Sequence, residues 1–169
     1  PFKSPCITTE ETIDKNIKNK EKIYEQLANH MYDCWDMYGR GEQDFYKYLD
    51  WSGTKYCRVC SEIKVSPDLD QSKRNLDIDE FEEYLTNNKP PNSRETYAEF
   101  FTKIDNAKLN FGSGTMTLDP NKRLYTFFTV YKKAQSPNFF QEDLVYPSLA
   151  QFGLDTGGCL AAGFLGAKL

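Results

Sequence analysis

The feature that most constrains this chain is a change in the spacing of its apolar residues. From Ile13 to Tyr38 they recur at steps of three and four, the period of a helix with one buried face. From Tyr56 to Val65 apolar and polar residues alternate, as in a strand with one buried face. The predicted apolar face carries Cys57, Val59, Ile63 and Val65, with Ser61 as its exception. Two elements that each bury one face pack against each other. The sequence therefore predicts an α+β fold, in which a long N-terminal helix over about residues 10–38 packs on a small, mainly antiparallel sheet with short helices inserted between strands.

Local signals place the ends of several helices. Thr8 and Thr9, followed by two glutamates, are typical of a helix start because hydroxyls and acids satisfy the first free N–H groups. A short acidic helix is predicted around residues 79–85, and Ser93 is predicted to cap another.

A hairpin is predicted between residues 115–118 and residues 123–132. The four residues between them are Asp-Pro-Asn-Lys, and proline at the second turn position with asparagine at the third favours a tight turn. Residues 124–131 are rich in aromatic and β-branched side chains, which predicts a central strand.

The last part of the chain differs from the rest. Residues 1–135 are interpreted as a single α+β domain and residues 136–169 as an irregular tail. The tail ends at residues 157–169 in small, apolar and nearly uncharged residues. A membrane helix needs about 20 such residues, so this segment spans a membrane only if it continues beyond residue 169. The alternative is a buried tail or a subunit contact.

The chain has five cysteines, which are Cys6, Cys34, Cys57, Cys60 and Cys159. Cys34 lies on the apolar stripe of the predicted helix and Cys57 on the apolar face of the predicted strand, so these two are expected to meet in the core. Residues three apart in a strand point to opposite faces. Cys60 is therefore expected on the other face, with Cys6 or Cys159 as its partner or with none.

Three states of these cysteines stay open. All five are disulfide candidates, and disulfides would place the domain outside the cytosol. Alternatively, His30, Cys34, Cys57 and Cys60 have the side-chain types of a structural zinc site, although the strand geometry separates the last two. The third reading is buried free thiols that act as small apolar residues.

Other motifs carry little chemistry. His30 is the only histidine, and no nucleophile lies in a recognisable catalytic motif. The acidic loop that starts at Asp68 resembles a calcium-binding loop, but Lys73 stands where glycine is required. Aromatic residues between Tyr125 and Tyr131 suit core packing better than a base-stacking platform. We predict no cofactor. The net charge of −4 with scattered basic residues argues against a nucleic-acid partner.

Two segments together carry a resemblance to a protein family. Residues 31–41, Met-Tyr-Asp-Cys-Trp-Asp-Met-Tyr-Gly-Arg-Gly, and residues 57–63, Cys-Arg-Val-Cys-Ser-Glu-Ile, resemble a group of uncharacterised archaeal membrane-associated proteins. The resemblance covers about residues 20–131. It implies a hydrophobic anchor and a non-cytosolic domain, and it implies no activity.

These observations predict a non-enzymatic structural or assembly domain of a membrane-associated, extracytoplasmic protein. Its expected partners are protein subunits, contacted through the apolar tail or the long helix, and a membrane. The alternative is an intracellular interaction module stabilised by zinc on His30, Cys34, Cys57 and Cys60.

Overall fold

A computed structural model of the chain describes residues 9–38, 40, 55–109 and 113–131, and for residues 55–58 and 127–131 the backbone only. The fold is α+β, as predicted. In chain order the elements are β1 (Thr9–Ile13), α1 (Lys20–Met37), β2 (Lys55–Val65), α2 (Gln71–Arg74), β3 (Asn75–Asp77), α3 (Ile78–Asn87), α4 (Tyr97–Thr102), β4 (Thr115–Thr117) and β5 (Leu124–Tyr131).

The main sheet has the order β1-β2-β5. β2 is the central strand and pairs antiparallel with β5. β1 pairs parallel with β2, from Thr9 opposite Ser61 to Ile13 opposite Val65. Helix α1 therefore lies in the crossover between two parallel strands, a βαβ unit that the sequence interpretation did not include. The other pairings are antiparallel, in agreement with the predicted mainly antiparallel arrangement.

The predicted start of the long helix is wrong. Residues 9–13 form β1, and α1 begins only at Lys20. Asn19 is the N-cap, with its side-chain oxygen accepting a hydrogen bond from the Lys22 N–H at 3.1 Å. The 18 residues of α1 span about 27 Å, which suits a small domain better than the predicted length. Pairing with β2 outweighs the local cap signal at Thr8 and Thr9.

The predicted hairpin is also wrong, although its turn forms. The Lys122 N–H donates to the Asp119 carbonyl at 3.0 Å, which closes a tight turn. The strands on either side do not pair with each other, because β4 pairs with β3 in a separate two-stranded sheet. The turn thus connects two sheets.

The acidic helix is confirmed as α3, and Asp77 caps its first turn. The prediction that Ser93 caps the next helix is wrong. Thr96 caps α4 in a capping box, in which the Thr96 hydroxyl accepts from the Glu99 N–H and the Glu99 carboxylate accepts from the Thr96 N–H. The Ser93 hydroxyl instead accepts from the Glu95 N–H.

The core lies between α1, the inner face of the main sheet, and α3 with α4. The predicted apolar stripe of α1 is confirmed, because its members are almost fully buried. They are Tyr24, Leu27, Met31, Cys34, Trp35 and Tyr38, and Ile23 and Ala28 are buried beside them.

Among the described residues, none of the helices combines the length and apolar character needed to cross a membrane. The apolar segment 157–169 and the division at residue 135 lie outside this part of the chain, so both stay predictions.

Candidate functional site: the Cys34–Cys60 crosslink

A disulfide joins Cys34 on α1 to Cys60 in the middle of β2. Their Cα atoms are 5.5 Å apart, within the range that a disulfide spans, and the residues are 26 positions apart in sequence. The two cysteines are only 4% and 3% exposed. The crosslink therefore lies inside the core and ties the helix to the central strand.

The prediction that Cys60 lies on the face away from the helix is wrong, and the reason is a β-bulge. The predicted contact of Cys34 with Cys57 stays a prediction, because the Cys57 side chain lies outside the described residues. Val59 pairs with Phe127 and Ser61 pairs with Thr126, so the register between β2 and β5 shifts by one residue at Cys60. One extra residue in β2 interrupts the alternation of faces that the sequence interpretation assumed. Cys60 reaches the helix side for this reason.

The bulge changes which residues of β2 are buried. Cys60 and its neighbour Ser61 are both buried, whereas neighbours in a regular strand point to opposite faces of the sheet. Val59, which was assigned to the apolar face, is 39% exposed. Ile63 and Val65 follow the bulge and face the core as predicted. The alternation is thus correct after the bulge and inverted at Val59.

A buried hydroxyl pair lies beside the crosslink. The side chains of Ser61 and Thr126 are each 2% exposed and hydrogen-bond each other across β2 and β5. Each hydroxyl supplies the partner that the other needs in the core. Ser61 is the polar exception in the predicted apolar face. The sequence did not reveal how its hydroxyl is satisfied, because its partner Thr126 lies 65 positions away.

Two of the four predicted zinc ligands are occupied by the disulfide. Cys34 and Cys60 share a disulfide, so neither sulfur is a thiolate that could bind zinc. His30 is half-buried, and burial lowers its pKa, while the carboxylates of Glu11 and Asp33 act in the opposite direction. Within the described part of the chain, no three His, Cys, Asp or Glu side chains form a group that could hold a metal ion.

The other cysteines cannot be placed. Cys6 and Cys159 lie outside the described residues, as does the side chain of Cys57. The same holds for the aromatic side chains of residues 127–131, so their predicted packing stays a prediction.

A second polar cluster joins α1 to α3. The Tyr24 hydroxyl donates to the Glu80 carboxylate at 2.9 Å and accepts from the Asp77 N–H at 3.2 Å. Burial and the Glu80 carboxylate raise the pKa of Tyr24 to about 12. On α4, the Tyr97 hydroxyl donates to Asn29 of α1 at 2.7 Å. These contacts join residues more than 50 positions apart, so the spacing of apolar residues did not reveal them.

The acidic loop that resembles a calcium-binding loop has a structural role in the described contacts. Asp70 caps α2 and accepts hydrogen bonds from the backbone and hydroxyl of Ser72, each at 2.9 Å. These bonds lower the pKa of Asp70. Asp77 accepts from the first N–H groups of α3. Both carboxylates therefore act as helix caps.

Comparison of the chain with protein families, curated proteins and solved structures finds no match. The crosslink and the polar clusters are therefore interpreted from their own geometry. They join helices to strands and to one another, and the chemistry that they display is that of a structural core.

Proposed function

We propose that this chain is a non-enzymatic structural or assembly domain of a membrane-associated protein, located on the extracytoplasmic side. The observation that carries the proposal is the buried disulfide between Cys34 and Cys60. Disulfides persist in oxidising compartments and are rare in the cytosol.

The position of the crosslink supports a structural role. Reactive disulfides and cysteines are partly exposed and lie in electropositive surroundings. Cys34 and Cys60 instead lie in the hydrophobic core, where Trp35, next to Cys34 in sequence, is also buried. A crosslink in this position holds α1 against β2 and is poorly accessible to a substrate.

The polar contacts support the same role. Tyr24, Glu80 and Asp77 bond α1 to α3, and Tyr97 bonds α4 to α1. Each of these hydrogen bonds joins two different elements of the fold. Such contacts maintain a fixed arrangement of helices, which suits a domain that presents a surface to other subunits.

We assign contact with subunits or a membrane to the apolar tail at residues 157–169. The other candidate, the long helix, has its apolar stripe packed inside the domain. The tail is composed mainly of small and apolar residues, a composition that lets helices approach closely.

The compartment is tested by trapping thiols before the protein leaves its native cells. Cells are treated with an alkylating reagent and lysed, and the digested protein is analysed by mass spectrometry without reduction. We expect a crosslinked peptide pair that contains Cys34 and Cys60. Alkylated Cys34 and Cys60, or one equivalent of zinc in the purified protein, would instead support the intracellular zinc module.

Membrane association is tested by flotation with liposomes. We expect the whole chain to float with the vesicles, and a variant that ends at residue 156 to stay in the soluble fraction. A matched control carries Leu160→Lys and Leu165→Lys within the whole 169-residue chain and should also fail to float. Equal flotation of all three proteins would remove the tail from the proposal.

A further inference from the structure

For Val59, the face of the sheet predicted from the alternation of β2 differs from the face observed in the structure. In sequence, Val59 belongs with Ile63 and Val65 to one alternating apolar set. In the structure, Ile63 and Val65 are buried while Val59 is 39% exposed. The bulge at Cys60 produces this disagreement, because it adds one residue between the two halves of the strand.

In a regular strand without the bulge, Val59 would lie on the face that the alternation predicts. Without the extra residue, Cys60 would pair with Phe127, and Val59 would pair with Phe128. A shift of one residue moves side chains to the opposite face of the sheet. Val59 would then turn toward α1, and Cys60 would turn away from it.

The disulfide is incompatible with that regular register. Cys34 lies on the buried stripe of α1, and a disulfide requires its partner within about 7 Å on the same side of the sheet. Cys60 meets this requirement, with a Cα separation of 5.5 Å, only while it is on the helix side. The bond and the bulge therefore occur together.

The first half of β2 has room to change register independently. β1 pairs only with residues 61–65 of β2, so among the described strands residues 55–59 pair with β5 alone. A shift before the bulge would leave the pairing of Ser61 with Thr126 and of Ile63 with Leu124 in place.

We propose that the Cys34–Cys60 disulfide controls the register of β2, so that the oxidised chain holds the bulge and the reduced chain pairs residues 55–60 with β5 in a regular strand. Newly made chain would hold the regular register and would acquire the bulge when it is oxidised. This inference concerns the strand and does not depend on the proposed compartment.

The chemistry is a balanced thiol–disulfide exchange. A small disulfide such as oxidised glutathione accepts two electrons from the Cys34 and Cys60 thiols. One sulfur–sulfur bond forms in the protein while one breaks in the reagent, and the two thiol protons end on the two thiols released. A dithiol reductant reverses the reaction.

The register is read directly by nuclear magnetic resonance, from cross-strand contacts between backbone protons of the whole chain. In the oxidised protein we expect Val59 opposite Phe127. After reduction with a dithiol we expect Val59 opposite Phe128, a shift of one residue. The pair Ile63 and Leu124 is the internal control and should be unchanged.

Two variants sharpen the test. Cys34→Ala with Cys60→Ala removes the bond permanently and should show the regular register without reductant. Val59→Lys disfavours turning position 59 toward the core, so its reduced form should keep the bulge. In the reduced natural chain, iodoacetamide should modify Cys60 faster than Cys34, because only Cys60 leaves the core.

Two results would overturn the proposal. One is a reduced chain, or a double-alanine variant, that keeps Val59 opposite Phe127. The other is loss of the Ile63–Leu124 contact on reduction, because the bond would then maintain the whole sheet and not the register of one half-strand.

Discussion

The helical layer and the main sheet are held together by different means. In the helical layer, α1, α3 and α4 pack through large aromatic rings, as between Tyr24 and Phe81 with ring centroids 5.5 Å apart. Their hydroxyl groups reach polar partners at the edge of the cluster. In the main sheet, the inner face carries smaller side chains, the hydroxyl pair of Ser61 with Thr126, and the crosslink.

The helical layer is stabilised by many contacts, whereas the main sheet depends on few. Aromatic packing spreads stabilisation over many neighbours, so no single hydrogen bond is essential. Within the described residues the main sheet has three strands, and four of the five residues of β1 are exposed. Its outer face carries ion pairs, of Lys64 with Glu10 and of Arg123 with Glu62. We therefore expect the sheet to depend most on its covalent bond.

Removal of the crosslink should have the largest effect. Cys34→Ala with Cys60→Ala should lower the free energy of unfolding by about 3–4 kcal/mol, because the bond closes a loop between residues 26 positions apart and restricts the unfolded chain. Denaturant unfolding measures the change. The natural protein in reductant should match the variant. A variant as stable as the oxidised protein would show that the sheet does not depend on the crosslink.

A cavity in the helical layer should have a similar or slightly smaller effect. Leu27→Ala should lower the free energy of unfolding by about 3 kcal/mol, because Leu27 is 2% exposed and its loss leaves unfilled core. Met37→Ala on the same helix is the matched control. Met37 is 38% exposed, so we expect a change of less than about 0.5 kcal/mol. Equal effects at both positions would show that the helical layer is not tightly packed.

Loss of one hydrogen-bonding group in the helical layer should lower the free energy of unfolding by less than the cavity does. Tyr24→Phe keeps the ring and removes the hydroxyl that bonds Glu80 and Asp77, and should lower the free energy of unfolding by about 1–2 kcal/mol. The control is Tyr84→Phe, in the same aromatic cluster, whose hydroxyl has no hydrogen bond within the described contacts. If both variants lose equal stability, the polar partners of Tyr24 contribute nothing.

High pH should weaken the helical layer. Folding raises the pKa of Tyr24 and of Tyr84 from 10.0 to about 12, chiefly through burial. A raised pKa means that the folded state holds its proton more tightly than the unfolded state. The resulting stability is fully present below about pH 10 and is lost as the pH rises toward about 12. Unfolding curves across this interval should decline less steeply in Tyr24→Phe, and identical slopes would exclude Tyr24 as a source.

The smallest effect is expected at the outer face of the sheet. Glu10→Gln removes an exposed ion pair with Lys64, in which the charged atoms are 2.8 Å apart. Solvent and salt screen such a pair, so we expect no resolvable change in the denaturation midpoint. A loss as large as that of Tyr24→Phe would mean that charge, and not the crosslink, retains the edge strand β1.

Much of the helical layer could be predicted from sequence because its signals are local. The stripe from Tyr24 to Trp35 follows the helical period, and α3 begins after an aspartate that caps it. The crosslink was predicted in part, since Cys34 was placed in the core. Its partner was misassigned, because the alternation of β2 gives no sign of an extra residue at Cys60.

By itself, the sequence determined the fold class, the buried face of α1 and the existence of β2 and β5, since each depends on the spacing of neighbouring residues. Only the tertiary structure decided three other features. They are the strand at residues 9–13, which exposes most of its side chains and has no alternating pattern, the pairing of β4 with β3, and the bulge that brings Cys60 to Cys34. All three depend on contacts between residues distant in sequence, and no local pattern records which distant partner a segment will find.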